Sequence, residues 1–215
     1  MQRKSSEILT LILMRHGETS WNRSQRIMGA ADIALNTDGR EQCIAAAEVL
    51  AALGIDKIVS SPQRRALESA TIVASQLGMG VETADGLEEV HFGDWQGRTY
   101  AEVAEDPRYA AYAASPLTQA TPGGETLVDV QSRGLAVLKS LAGGQTVLCV
   151  SHGDILRSIL CSLMGIPLTA YRQLRVDNCG LSAFAIDGDR VEAKFVNYLA
   201  DPARAWAATH WSAPA

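Results

Sequence analysis

The stretch from Ile8 to Asn22 constrains this chain more than any other. An apolar run of strand length, Ile8-Leu9-Thr10-Leu11-Ile12-Leu13-Met14, stops at Arg15-His16-Gly17. Such a run reads as a parallel strand buried on both faces. It delivers a guanidinium and an imidazole to its carboxyl end, the edge at which open α/β sheets bind ligands. His16 is therefore a candidate nucleophile and Arg15 a candidate clamp for developing negative charge. Imidazole attacks phosphorus without an unusually low pKa, and Gly17 allows a tight exit with exposed backbone amides. The tripeptide alone is weak evidence, because chance supplies it in roughly a few per cent of chains this long; its position after a strand is what raises it.

With 215 residues, 47% of them hydrophobic, the chain suits one α/β core spanning 1–215 and is short for two. The net charge of -5 and pI near 5.4 argue against a nucleic-acid or anionic-membrane surface, which would need a basic stripe. An anionic substrate must then be held by local arginines. Cys43, Cys149, Cys161 and Cys179 form no Cys-x-x-Cys pair and are too sparse for a disulfide scaffold, so they read as reduced, structural thiols of a cytoplasmic protein. The basic segment Met1 to Glu7 precedes an apolar run too short to span a bilayer, with no small-residue cleavage site.

A long polar segment to Asn36 follows the first strand, and a loop of that length in a compact domain is usually functional. Thr37 is the expected cap of a helix reaching about Leu53, and Lys57 to Ser60 a second strand. Ser61-Pro62 reads as an N-cap with proline at the first helical position, opening a helix to about Leu77. That places Arg64 and Arg65 in a first turn, where unpaired amides already favour an anion. Val81 to Ala84 is a weak third strand, and Leu87 to Trp95 a loop carrying Glu88, Glu89, His91 and Asp94. Residues 98–124, broken by Pro107, Pro116 and Pro122, are expected to form a small helical cap over the site.

Glu125 to Leu141 reads as another helix. Thr146-Val147-Leu148-Cys149-Val150-Ser151-His152-Gly153 then repeats the opening theme of apolar strand and His-Gly, ahead of a helix from Ile155 to Met164. If the two strands lie side by side, both imidazoles meet at one sheet edge. Leu181 to Ile186 and Val191 to Asn197, joined at Asp187-Gly188, read as a closing hairpin. Two histidines and two arginines at one edge suit a phosphoryl group, whose transfer needs in-line positioning and neutralisation of its equatorial oxygens. A carboxyl group beside the leaving oxygen completes the set as acid, then as base for water.

Five blocks carry a resemblance. They are Arg15-His16-Gly17-Glu18-Thr19 with Asn22; Ser60-Ser61-Pro62 leading to Arg65-Ala66-Leu67-Glu68; Leu87-Glu88-Glu89-Val90-His91 through Gly97; Pro122-Gly123-Gly124-Glu125; and Ser151-His152-Gly153. In this order they resemble the histidine phosphatase superfamily, also called phosphoglycerate-mutase-like. The resemblance implies a three-layer α/β fold, a mostly parallel central sheet with helices on both faces, and no metal or other cofactor. It implies that His16 is phosphorylated during turnover. Arg15, Arg65 and His152 would hold the phosphoryl oxygens, Asn22 would add a hydrogen bond, and Glu89 would protonate the leaving group. Arg64 competes with Arg65, and Glu88 and Asp94 with Glu89. Met28 stands where the mutases carry a small polar residue and suggests either an apolar feature of the substrate pocket or simple packing. His91 reads as a hydrogen-bonding loop residue, and His210, beside Trp206, carries little signal.

The expected substrate is a small phosphomonoester. A phosphatase is favoured over a cofactor-dependent mutase, because Arg98 and Arg108 are the only cations where the mutases carry a longer basic insertion. A silent, phospho-ligand-binding relative is the third reading, disfavoured because every position the chemistry needs is filled. No cysteine has an arginine six positions later, no Gly-rich phosphate loop exists, and the histidines lack metal-ligand spacing. Asp187-Gly188-Asp189-Arg190-Val191 mimics an aspartyl-nucleophile motif, but too little chain follows it, and Asp-Gly is a hairpin turn. The oligomeric state is left open, a homodimer included.

Overall fold

The computed structural model describes residues 8–115 and 117–200. Met1 to Glu7, Pro116, Trp206 and His210 lie outside them. Six strands form one sheet: β1 (Leu9–Arg15), β2 (Lys57–Ser60), β3 (Glu82–Thr83), β4 (Thr146–Ser151), β5 (Leu181–Asp187) and β6 (Arg190–Tyr198), in the order β3-β2-β4-β1-β5-β6. The first four pair in parallel; β5 runs antiparallel to β1 and carries β6 as the hairpin. The sheet is thus mostly parallel, as the two apolar runs ending in His-Gly require.

Alternation along the strands separates two cores. Leu11, Leu13, Val147 and Cys149 face α6 (Leu127–Lys139) and α7 (Gly153–Met164). Ile12, Met14, Ile58, Leu148 and Val150 face α2 (Thr37–Ala51) and α3 (Arg64–Leu77). The chain leaves β1 toward α2 on one face and leaves β4 toward α7 on the other. Adjacent parallel strands whose connections diverge open a crevice at their carboxyl ends, and there the sequence has placed His16 and His152.

Several local expectations shift. The cap of α2 is Asn36, not Thr37, with its side chain accepting from the Gly39 amide. The helix α3 begins at Arg64 instead of Pro62, with extended Gln63 as its cap residue, because Ser61 has other partners; both arginines still occupy the first turn. The helix α7 starts at Gly153, two residues earlier than the apolar pattern suggests, because the Glu89 carboxylate accepts the otherwise free Asp154 and Ile155 amides. The helix α6 is shorter at both ends than the expected Glu125 to Leu141, with Thr126 as its cap residue, and a 3-10 segment, Leu168–Gln173, was not anticipated. Gly17 serves close approach, not left-handed backbone: a Cβ there would strike the Gly39 carbonyl and the Cys43 Sγ, so α2 could not pack against the strand exit.

The short α1 (Ser20–Arg23) follows β1, and the cap contains α4 (Tyr100–Ala104) and α5 (Tyr109–Ala114). A satellite core of Ile27, Trp95, Val103 and Tyr112 joins the cap to the loop after β1. Asp106 ties this cap together, accepting from Trp95 Nε1 at 3.1 Å and pairing with Arg98 and Arg108 at 2.7 and 2.9 Å.

Leu148 lies between Ile12 and Ile58 in the parallel register and is fully buried. Leu148→Ala should therefore lower unfolding free energy by about 2–5 kcal/mol, read by urea denaturation.

Candidate active site

The β1–β4 pairing runs up to Arg15 opposite Ser151 and continues with the His16 amide donating to the Ser151 carbonyl at 2.9 Å. The next residue on each strand is the histidine, so the rings stand with centroids 5.2 Å apart. His16 Nδ1 lies 2.7 Å from its neighbour's carbonyl, Gly17 O, which can only accept. The proton therefore sits on Nδ1, leaving the Nε2 lone pair for attack. Burial, with Arg15 and Arg65 nearby, holds the His16 pKa well below its ordinary value and the ring neutral. His152 is held neutral in the same way, by burial and then Arg65.

Arg65 is 0% exposed and comes from the first turn of α3, while Arg64 is half exposed and paired with Glu68 at 2.9 Å. Burial lowers the Arg65 pKa to about 10, leaving it cationic at neutral pH, with Glu89 opposing the shift and Arg15 adding to it. The Arg15 guanidinium donates to the Val176 carbonyl at 2.8 Å. Among the described residues, three buried side-chain nitrogens have no hydrogen-bond partner: Arg15 Nε, Arg65 Nε and His152 Nδ1. Buried donors are rarely left so, and here all three belong to the residues expected to hold a phosphoryl group.

Glu89 brings a buried carboxylate to this edge. Its oxygens accept from the amides of Val90, Asp154 and Ile155 at 3.1, 3.2 and 3.3 Å. Burial raises its pKa, and Asp154 adds to the rise against the pull of Arg65 and Arg15. Arg133 braces the loop, donating to the carbonyls of Gly86, Glu88 and Glu89 while pairing with Glu125 at 3.0 Å. The rivals stand elsewhere: Glu88 faces Arg133, Asp85 and Glu125, and Asp94 pairs with Arg108 on the cap. His91 is exposed, and its backbone holds Glu125.

A cavity of about 320 Å³ opens beside these groups, lined among others by Arg15, Asn22, Met28, Glu89, Tyr100 and Asp154. His16, Arg65 and His152 are buried and do not line it. Asn22 Oδ1 caps Thr19 at 3.0 Å, so Nδ2 is the group left to meet a ligand. Met28 is on the cavity wall, its sulfur 3.3 Å from the Thr19 hydroxyl.

Sequence reasoning missed four contributors. Asn178 donates to the His16 carbonyl at 2.9 Å; its signal is position, since it precedes the strand that pairs antiparallel with β1. Gln63 accepts from Arg65 and from the Glu89 amide, linking cation to carboxylate. Asp154 and Arg157 pair at 2.7 Å on the first turns of α7, within the cavity wall. Among the described residues no group of His, Cys, Asp and Glu is arranged to hold a metal ion, and all four cysteines are free and buried. No helix among them is long and apolar enough to cross a membrane.

Known proteins resemble this chain in sequence and in fold. The glucosyl-3-phosphoglycerate phosphatase of Mycolicibacterium vanbaalenii is 38% identical over 169 residues, covering 74% of this chain and 75% of the relative. A Salmonella paratyphi B protein named "Probable phosphoglycerate mutase GpmB" is 33% identical over 180 residues, covering 81% and 84%. The structure of a mycobacterial glucosyl-3-phosphoglycerate phosphatase complexed with VO3 superposes with a TM-score of 0.79 at 31% identity, covering 87% of this chain and 98% of that one. The family model of the histidine phosphatase superfamily (branch 1) matches residues 11–199, and the chain belongs to that family.

Proposed function

We propose that the chain hydrolyses a small phosphomonoester through a phosphohistidine intermediate and needs no metal to do so. The observation that carries this reading is the set of groups gathered where β1 and β4 end: the His16 Nε2 lone pair, and the unpartnered nitrogens of Arg15, Arg65 and His152. His16 Nε2 forms a bond to phosphorus as the phosphorus–oxygen bond to the leaving group breaks. The proton of Glu89 goes to that oxygen. Arg15, Arg65 and His152 hold the equatorial oxygens, with Asn22 Nδ2 adding a donor. Water then attacks phosphorus, Glu89 takes its proton, and the phosphorus–nitrogen electron pair returns to Nε2.

The cap favours hydrolysis over mutase chemistry. Arg98 is paired with Asp106, and Arg108 with Asp106 and Asp94, so the cap's two candidate cations are spent on its own carboxylates instead of a second phosphate. The relatives named for glucosyl-3-phosphoglycerate and phosphoglycerate support a substrate that carries a carboxylate beside the phosphate. Met28 supplies an apolar contact on the cavity wall.

Incubation with a radiolabelled phosphomonoester and rapid denaturation should leave alkali-stable, acid-labile phosphate on His16. A panel of phosphoglycerates, sugar phosphates, phosphoserine and α-ribazole phosphate, with phosphoglycerate isomerisation assayed alongside, should show hydrolysis exceeding phosphoryl transfer. Dominant isomerisation would favour the mutase, and an intact fold with no label would reject catalysis. His16→Ala should lower turnover by about 10⁴-fold or more, since it removes the covalent route.

Glu89→Gln should slow phosphorylation by poor leaving groups far more than by p-nitrophenyl phosphate; equal losses would remove Glu89 from the acid role. The pH profile follows from the shifts. His16 must be neutral, so phosphorylation falls as pH drops through its depressed pKa. Glu89 must be protonated, so with a poor leaving group the rate falls as pH rises through its raised pKa. Pre-steady-state bursts should lose the alkaline limb in Glu89→Gln.

A further inference from the structure

Ser61 is fully buried, and its hydroxyl oxygen lies 2.8 Å from His152 Nε2. The same oxygen accepts the Gln63 amide proton at 3.2 Å. One lone pair is thus occupied, and among the described residues the hydroxyl proton meets no acceptor but Nε2. If Nε2 carried the ring proton, it would have to donate to the second lone pair. The hydroxyl proton would then be stranded in a buried site, and Nδ1 would face the phosphoryl site as a bare acceptor. With the hydroxyl donating to Nε2, the Ser61 hydroxyl and Nε2 are both satisfied, and the ring proton falls on Nδ1, the buried nitrogen that has no partner among the described residues and is left to donate to a ligand.

We propose that Ser61 is a positioning residue, its hydroxyl holding His152 as the Nδ1–H tautomer so that the ring presents a hydrogen-bond donor to the phosphoryl oxygens. This rests on the phosphohydrolase reading above and adds to it the group that makes His152 a donor while the ring is neutral. The two histidines are then set by opposite partners. A carbonyl acceptor at Nδ1 of His16 frees a lone pair for attack; a hydroxyl donor at Nε2 of His152 frees a proton for binding. The same contact explains why Ser61 does not cap α3, whose cap residue, Gln63, makes no capping bond with its side chain.

The chain has four histidines, so the ring nitrogens of ¹⁵N-histidine-labelled protein are few enough to assign with a His152→Asn variant. Long-range proton–nitrogen spectra at neutral pH should show His152 protonated at Nδ1 and unprotonated at Nε2. In Ser61→Ala the neutral ring should shift toward the Nε2–H form, and kcat should fall by about 10- to 100-fold, less than removal of a transition-state donor outright. Ser61→Thr, which keeps the hydroxyl, should restore the tautomer and most of kcat. A wild-type ring protonated at Nε2 or at both nitrogens would overturn the proposal, as would a ring unmoved by Ser61→Ala. Absence of phosphoenzyme in the wild type would refute the reaction, whereas the tautomer reports on Ser61 by itself.

Discussion

The site depends on the parallel pairing of two apolar strands, β1 and β4, in a register that sets Arg15 opposite Ser151. A slip of one residue would turn every side chain to the other face, sending one imidazole toward the α6–α7 core while the other stayed at the crevice. Leu148, Cys149 and Val150 are buried against helices on alternate faces, so the hydrophobic pattern that folds the sheet also fixes the distance between the rings. Stability and function share one constraint at this place. Other parts of the site then arrive on elements that this sheet orders: Arg65 on α3, Glu89 on a loop braced by Arg133, and Asn178 just before β5.

Bringing two guanidiniums and two imidazoles into a buried space is costly, since desolvation and like charge act together. The protein answers the cost in two ways. The imidazoles stay neutral, their protons placed by Gly17 and Ser61, and the guanidiniums keep carbonyl partners on part of their donors, Arg15 on Val176 and Arg65 on Gly29 and Ala31. The donors left over are those an incoming anion can use. An array that waits with unpaired donors needs little reorganisation when charge develops, which is the condition for electrostatic catalysis.

Much of this was legible in the sequence because it rests on local, periodic signals. The two apolar runs ending in His-Gly announced parallel strands and a shared edge, and the short Asp187-Gly188 link announced the hairpin. Arg65 could be preferred to Arg64 by its place in a motif, and burial distinguishes the two in the structure. What the sequence hid was set by distant partners. The start of α7 depends on a carboxylate from Glu89, more than sixty residues earlier. Ser61 has the composition of a helix cap and is claimed by a histidine brought in by β4. Asn178 and Gln63 bear no motif; their roles follow only from the sheet order and from the loop that returns Glu89 to the crevice.

The most direct test of this arrangement is a crystal structure of the protein with orthovanadate, whose trigonal-bipyramidal form mimics phosphoryl transfer. The account predicts vanadium bonded to His16 Nε2, with Arg15 Nε, Arg65 Nε and His152 Nδ1 directed at its equatorial oxygens and Glu89 beside the apical oxygen opposite His16. Vanadate bound away from His16, or bound there with His152 turned from its oxygens, would contradict it.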